Sequence, residues 1–199
     1  MMIVLAGGIG SGKSIVARIL RLKGYGVFDC DLEARNLMEN DPSLRDKLCD
    51  LAGKDIYTSA GKLDRSLLAS RLFGDISLRK KINHAVHSAV RTLIECWLEE
   101  SCFNIFVETA IPAESGIADC ADMVWMVEAS AETKMARVKN RDNRSEGEIK
   151  RIMDAQAFEE GMLKEKGILT LYLSNNEGDT ILNRIDLLLQ KHVENIQPK

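Results

Sequence analysis

The sequence has no C-x-x-C pair, and its five cysteines (Cys30, Cys49, Cys96, Cys102 and Cys120) are an odd number. That usage suits a reducing cytosol better than a disulfide framework or a zinc site. No apolar run approaches the length of a membrane span. The N-terminal apolar stretch runs straight into glycines, which is not how a signal peptide is built. No membrane partner and a cytoplasmic location are therefore expected. A basic excess is also missing: the formal net charge is −3, so no global positive field marks nucleic acid as a partner. There is no internal repeat, no low-complexity tract, and no N-K-x-D element of the kind a guanine-reading switch carries. What remains is an ordinary globular composition, 45% apolar and 29% charged over 199 residues. Such a chain can bury one substantial core alone, and a monomer is favoured.

The strongest positive signal is at the start. Gly7-Gly8-Ile9-Gly10-Ser11-Gly12-Lys13-Ser14 matches the phosphate-binding pattern G-x-x-x-x-G-K-[ST] completely. Met2–Ala6 before it has strand length and apolarity, and Ile15–Leu22 after it reads as a helix. Strand, glycine turn and helix aim backbone N–H groups and a helix N-terminus at one anion, which implies nucleoside triphosphate binding. A glycine turn with a structural role only is the alternative. In the first reading, Gly8, Ile9, Gly10, Ser11, Gly12, Lys13 and Ser14 form the nucleotide cradle, with the amides of Gly10 through Ser14 on the phosphates. Lys13 reaches the β and γ phosphates, and Ser14 places its hydroxyl on magnesium.

Apolar runs at Met2–Ala6, Tyr25–Phe28, Asn104–Val107, Met123–Val127 and Leu169–Leu173 read as buried parallel strands. Helical patterns lie between them, so the class is α/β. One interval is too long for a single crossover. Leu32–Met38, Pro42–Leu51, Arg65–Leu72 and Leu78–Glu100 are helix-like, with turn chemistry at Gly53–Lys62. Residues of about 32–100 therefore read as a helical insertion carrying acceptor contacts, or as packing helices only. A second insertion spans about 133–156 and is rich in Lys and Arg. Arg137 and Arg141, four apart, share a helix face there. It reads as a cationic lid over transferring phosphate, or as a solvated helical surface.

Three carboxylates stand where strands end. Asp29 and Asp31 follow the second strand, where an open parallel sheet lines its ligand crevice. Asp31 could orient or deprotonate an attacking hydroxyl, or could simply cap the helix that follows. Glu108 closes the third strand and has the form of a carboxylate holding magnesium through water. His84 and His87 could hold a metal only with a third ligand, and none is near in sequence. Ser174–Gly178 approaches the adenine, or is a turn that starts the last helix.

Taken together, these residues resemble the dephospho-coenzyme A kinase family, from the N-terminus to about Gly178. The glycine loop is similar to the family's. Phe28-Asp29-Cys30-Asp31-Leu32-Glu33-Ala34-Arg35 resembles its D-x-D-x-x-A-R element, and Gly61-Lys62-Leu63-Asp64-Arg65-Ser66-Leu67-Leu68 its G-x-L-x-R-x-x-L segment. Ile82-Asn83-His84 is similar to its L-N-x-x-x-H region through the histidine. Arg137 and Arg141 resemble its lid arginines, and Gln156 the glutamine that closes the lid. Three departures stand out. Ile15 replaces a usual threonine, Ala85 the proline after the histidine, and Ala110-Ile111-Pro112-Ala113-Glu114 a P-L-L-F-E segment of which only the glutamate stays.

The resemblance implies a P-loop NTPase core with a five-stranded parallel sheet, a helical acceptor-binding domain and a lid. It implies ATP and Mg2+, with dephospho-coenzyme A as the acceptor phosphorylated on its 3′-hydroxyl. Lys13, Asp31 and Arg141 are the implied catalytic residues. Arg137 and Arg141 are implied to touch ATP, and Asp31, Arg35, Arg65 and His84 the acceptor. Another nucleoside monophosphate-type kinase and a nucleotide-binding regulatory module are the competing readings.

Overall fold

The first strand is apolar at every position, and every one of its residues is buried. In the computed structural model, which describes residues 1–100, 104–142 and 144–194, β1 (Met2–Ala6) lies at the centre of a five-stranded parallel sheet. The others are β2 (Gly26–Asp29), β3 (Ile105–Glu108), β4 (Met123–Glu128) and β5 (Thr170–Ser174), in the order β2-β3-β1-β4-β5. Burial on both faces of β1, β3 and β4 explains why those strands read as continuous apolar runs rather than alternating ones, while the edge strands β2 and β5 are only partly buried. Cys102 lies outside the described residues.

Each strand after the first reaches one residue beyond its apolar run, and that residue is polar: Asp29, Glu108, Glu128 and Ser174. Ladder hydrogen bonds do not depend on the side chain, so the strand continues where burial patterning stops. The polar residues thus collect at the carboxyl ends of the strands, the edge at which open α/β sheets bind ligands.

Chain packing divides the molecule into two units. Residues 29–100 form one, and the remainder of the chain the other. In the sheet unit, α1 (Lys13–Leu22) and α8 (Ile181–Leu189) cover one face. Val16, Ala17, Leu20, Ile185 and Leu189 pack there on Ile3, Leu5, Phe106, Trp125, Val127 and Leu173. Phe106 stands edge-on between Tyr25 and Trp125, with ring centroids 5.6 and 5.1 Å apart. The same unit holds α6 (Ala131–Asp142) and α7 (Glu146–Glu165), so the second insertion is two helices that reach nine residues past Gln156. Ser145 and Glu148 close a capping box at the start of α7.

The helical unit contains α2 (Cys30–Asn40), α3 (Pro42–Ala52), α4 (Arg65–Leu72) and α5 (Ile76–Glu100). Aspartate starts all four. Asp29, Asp41, Asp64 and Asp75 accept hydrogen bonds from the amides of Leu32, Leu44, Leu67 and Leu78, at 2.6–3.0 Å. The cap of α2 is thus Asp29 rather than Asp31, and the helix begins two residues earlier than its apolar pattern suggests. In α5, the residues Ile82, Val86, Val90 and Ile94 are buried at every fourth position, which gives a stripe that fixes the helix by one face.

The indole of Trp125 is fully buried, and its N–H has no hydrogen-bond partner among the described residues. Trp125→Ala is expected to destabilise the sheet unit by about 3–5 kcal/mol. Trp125→Phe should cost clearly less, because it removes the unpaired donor along with part of the ring. Urea unfolding of the two variants beside the parent checks this ordering.

Candidate functional site

The loop between β1 and α1 depends on backbone conformation at two glycines. Gly10 and Gly12 have φ of 76° and 91°, the left-handed region that side chains disfavour. Space excludes side chains as well. A Cβ on Gly12 would overlap Asn175 Nδ2, and one on Gly10 would meet the Lys134 carbonyl at 2.7 Å. Gly12 is also the N-cap of α1 and contributes no side chain to it, which leaves the first-turn amides available.

Three side chains from distant segments hold the loop. Gln156 Oε1 accepts the Ile9 amide at 2.7 Å. Asn175 Nδ2 donates to the Ser11 carbonyl at 2.8 Å. Arg137 Nη1 donates to the carbonyls of Gly10 and Ser11, each at 3.4 Å. The Ser11 amide turns inward to the Gly8 carbonyl, so it is not among the outward-facing amides. The amides of Gly10, Gly12, Lys13 and Ser14 have no partner among the described residues. They form a concave set of donors at a helix N-terminus, the arrangement that binds an anion.

Register brings a carboxylate to the loop's lysine. Glu108 pairs with Leu5 across the β1–β3 ladder, one residue before the end of β1. Its Oε1 lies 3.1 Å from Lys13 Nζ, and its Oε2 lies 3.9 Å from Arg21 Nη2. Glu108 is 5% exposed, so its charge depends on these cations. Ser14 is exposed. Its hydroxyl and the Glu108 carboxylate are hard oxygen donors, and no cluster of three or more His, Cys, Asp or Glu able to hold a metal occurs among the described residues. Two protein oxygens with the remaining positions left to water and phosphate suit Mg2+.

Three positioning residues escaped the sequence reading. Asn175, just past β5, is 7% exposed and joins the loop through Ser11. The rest of its segment is a turn closed by Asp179, which accepts from Ser174 Oγ and the Asn176 amide. Glu159 is one helical turn beyond Gln156 on α7. Its two oxygens accept from the successive amides of Ala113 and Glu114, at 2.7 and 3.2 Å. Burial raises its pKa, and those two amides hold it back in part. Glu39 is the third, on α2 in the helical unit. A polar residue placed just past a strand's carboxyl end was the available signal for Asn175; nothing in the pattern marks Glu159.

In the helical unit, Asp31, Arg35 and Glu39 lie four apart along one face of α2. Asp31 and Arg35 are exposed, and Glu39 Oε1 holds Arg65 Nη2 at 2.8 Å. His84 is exposed on α5 and lines a cleft of about 750 Å³. Counted from Ile82-Asn83, the L-N-x-x-x-H spacing falls on His87 rather than His84, and Ser88 rather than Ala85 takes the place of the proline. Arg141 in the sheet unit is exposed and makes a two-point pair with Asp142, at 2.6 and 2.8 Å. Arg137 and Arg141 are both on α6, but only Arg137 reaches the glycine loop.

A parallel sheet with a glycine-lysine loop after its central strand, a carboxylate beside the lysine and an inserted helical unit define a P-loop kinase of small molecules. The family model for dephospho-CoA kinase matches residues 1–180. A dephospho-CoA kinase of Bacteroides fragilis is 35% identical over 194 residues, covering 94% of this chain and 92% of the relative. Among solved structures, TT1252 from Thermus thermophilus superposes with a TM-score of 0.78 at 29% identity, covering 97% of this chain and 98% of that one. The dephospho-CoA kinase from Campylobacter jejuni shares the fold, with a TM-score of 0.67 at 22% identity and 96% of each chain covered. The chain belongs to the dephospho-CoA kinase family.

Gly12→Ala is expected to weaken ATP binding at least about tenfold, since both φ and space oppose a side chain there. Adding Asn175→Ala clears the space but not the φ, so the double variant should remain weak; calorimetric titration with ATP measures both. Glu159 generates a pH prediction. Its raised pKa means that the folded state holds a proton the unfolded state has released, so stability falls as pH climbs from the ordinary carboxylate range through the raised value. Glu159→Gln cannot ionise, and its denaturation midpoint should be flatter over that interval.

Proposed function

We propose that the chain transfers the γ-phosphoryl group of ATP to the ribose 3′-hydroxyl of dephospho-coenzyme A, acting as a cytoplasmic monomer. Family membership supports the reaction, and the observation that carries it here is the Lys13–Glu108 pair beside the unpaired amides of Gly10, Gly12, Lys13 and Ser14. These donors bind the β and γ phosphates and orient the terminal one. Ser14, and Glu108 through water, would hold Mg2+, which when bound supplies positive charge to the phosphate oxygens.

In the step itself, the 3′-oxygen bonds to the γ-phosphorus while the bond from that phosphorus to the β–γ bridging oxygen breaks. ADP leaves, and the hydroxyl proton passes to the Asp31 carboxylate. Lys13 and Arg137 neutralise charge on the transferring group, and Arg141 joins them by exchanging Asp142 for a phosphate oxygen. Arg35 and Arg65 bind the acceptor. Closure of the 133–156 region excludes water, which would otherwise consume ATP unproductively.

Asp31→Asn should keep ATP affinity and lower kcat by about two to four powers of ten. Coupled ADP-release kinetics with dephospho-coenzyme A, and with its 3′-deoxy analogue, test the reading. Transfer to the deoxy analogue would overturn the acceptor assignment, and a nearly fully active Asp31→Asn enzyme would remove the base.

A further inference from the structure

Between β3 and β4 the chain closes into a turn. The amides of Ser115, Gly116 and Ala118 return to the carbonyls of Ile111, Ala113 and Pro112, at 3.0–3.2 Å. Ala113, Ser115, Ile117 and Ala118 are buried, so the turn is fixed in the sheet unit. Its first amides, those of Ala113 and Glu114, are left for the two oxygens of Glu159 on α7. A carboxylate on backbone N–H groups makes the stronger, charge-assisted kind of hydrogen bond, and Glu159 is only 6% exposed. This contact is an anchor.

Helix α7 has few other holds. Ile149, Glu159 and Leu163 are its buried residues, and Gln156 falls in the interval between the first two. Gln156 stands three residues before Glu159, which puts both side chains on one helix face. There it accepts the Ile9 amide of the glycine loop. The ladder that joins β1 to β3 ends with the Thr109 amide on the Leu5 carbonyl, at 3.1 Å. Beyond that bond, Gly8 and Ile9 of the loop and Ala110 and Pro112 of the turn line a cavity of about 300 Å³. Gln156 and Glu159 line it as well, so α7 reaches both segments with one side chain each.

We propose that Glu159 is a positioning residue for ATP binding, acting through Gln156. Anchored on the Ala113 and Glu114 amides, it fixes the turn of α7 from which Gln156 holds Ile9, and with Ile9 the path of the glycine loop. The inference rests on ATP occupying that loop, as read under Proposed function. The amide that Gln156 takes is Ile9, not one of those at Gly10, Gly12, Lys13 and Ser14 that are open to an anion. The clip therefore shapes the cradle without competing for its ligand, and its cost is met before ATP arrives.

The test is a double-mutant cycle on the full chain with Glu159→Ala and Gln156→Ala, read by calorimetric titration with ATP. Each single change should weaken ATP binding about tenfold. The double variant should stay within about twofold of either single one, because the second change removes a hold already lost. Glu159→Gln keeps the volume and one acceptor, so it should fall between the parent and Glu159→Ala, and it takes the place of Glu159→Ala in the cycle if that variant does not fold. In steady-state kinetics the KM for ATP should rise, with kcat and the KM for dephospho-coenzyme A within about twofold. Amide hydrogen exchange gives a second readout. In the Glu159 variant the Ile9 amide should speed up by a clearly larger factor than the Val4 amide of β1, whereas a role confined to stability would speed the two alike. Additive losses in the cycle overturn the clip, as does an Ile9 amide that changes no more than Val4. A parent that binds no ATP removes the kinase reading, and the Ile9 exchange still decides whether Glu159 holds the loop.

Discussion

The sheet unit is organised around a stretch of backbone that must present unpaired N–H groups to an anion without collapsing on itself. Free amides are costly where water is excluded, and a loop left to itself would close them with its own carbonyls. Here that closure is limited to the Ser11–Gly8 bond. Gln156, Asn175 and Arg137 take the remaining reactive groups of the loop's outer side, from three segments far apart in sequence. The fully buried β1 and the buried face of α1 clamp the two ends. A cradle for phosphate is thus a negotiated arrangement, in which side chains from distant segments hold the loop's outer groups, while the buried Ser11 hydroxyl has no partner among the described residues.

Charge obeys the same logic. A lysine aimed into a partly enclosed site with nothing beside it would lose hydration without compensation. Glu108 supplies that compensation, and its near-complete burial means that it in turn depends on Lys13 and Arg21. The pair fixes the lysine side chain in the folded protein, so the cost of placing the cation is met during folding. Arg141 is arranged similarly. Asp142 holds it in a two-point pair at the exposed end of α6, from which phosphate oxygens could displace a single carboxylate.

How much of this the residues announced depends on which physical constraint each part obeys. Strand positions were legible because two-sided burial writes continuous apolar runs, and their ends were missed by one residue because Asp29, Glu108, Glu128 and Ser174 continue the ladder without continuing the pattern. The glycine loop was legible because its conformation permits few residue types. Helix α2 began earlier than its apolar pattern, since Asp29 and not Asp31 supplies the capping oxygen. Glu159 was illegible: one more glutamate on an acidic helix looks like solvated surface until the fold sets the Ala113 and Glu114 amides against it. Asn175 was half-legible, since its place past β5 marked it but its partner, a carbonyl 164 positions away, could not be read.

The two units therefore encode their chemistry in different ways. In the sheet unit the recognising groups are mostly main-chain amides, and side chains serve to keep the backbone in one conformation. The Ala110–Glu114 segment is pinned by Glu159 through two amides that any residue but proline would offer. In the helical unit the backbone is closed in its own helices and four aspartate caps, and it has little left to offer a ligand. What its surface offers is therefore set by side chains, and α5 divides its circumference between packing and exposure. One face, buried at every fourth position, holds the helix in place, and the face beside it lines an open cleft with small residues at Ala85, Ser88 and Ala89. A helix pinned only along one stripe can vary its free face without loss of stability.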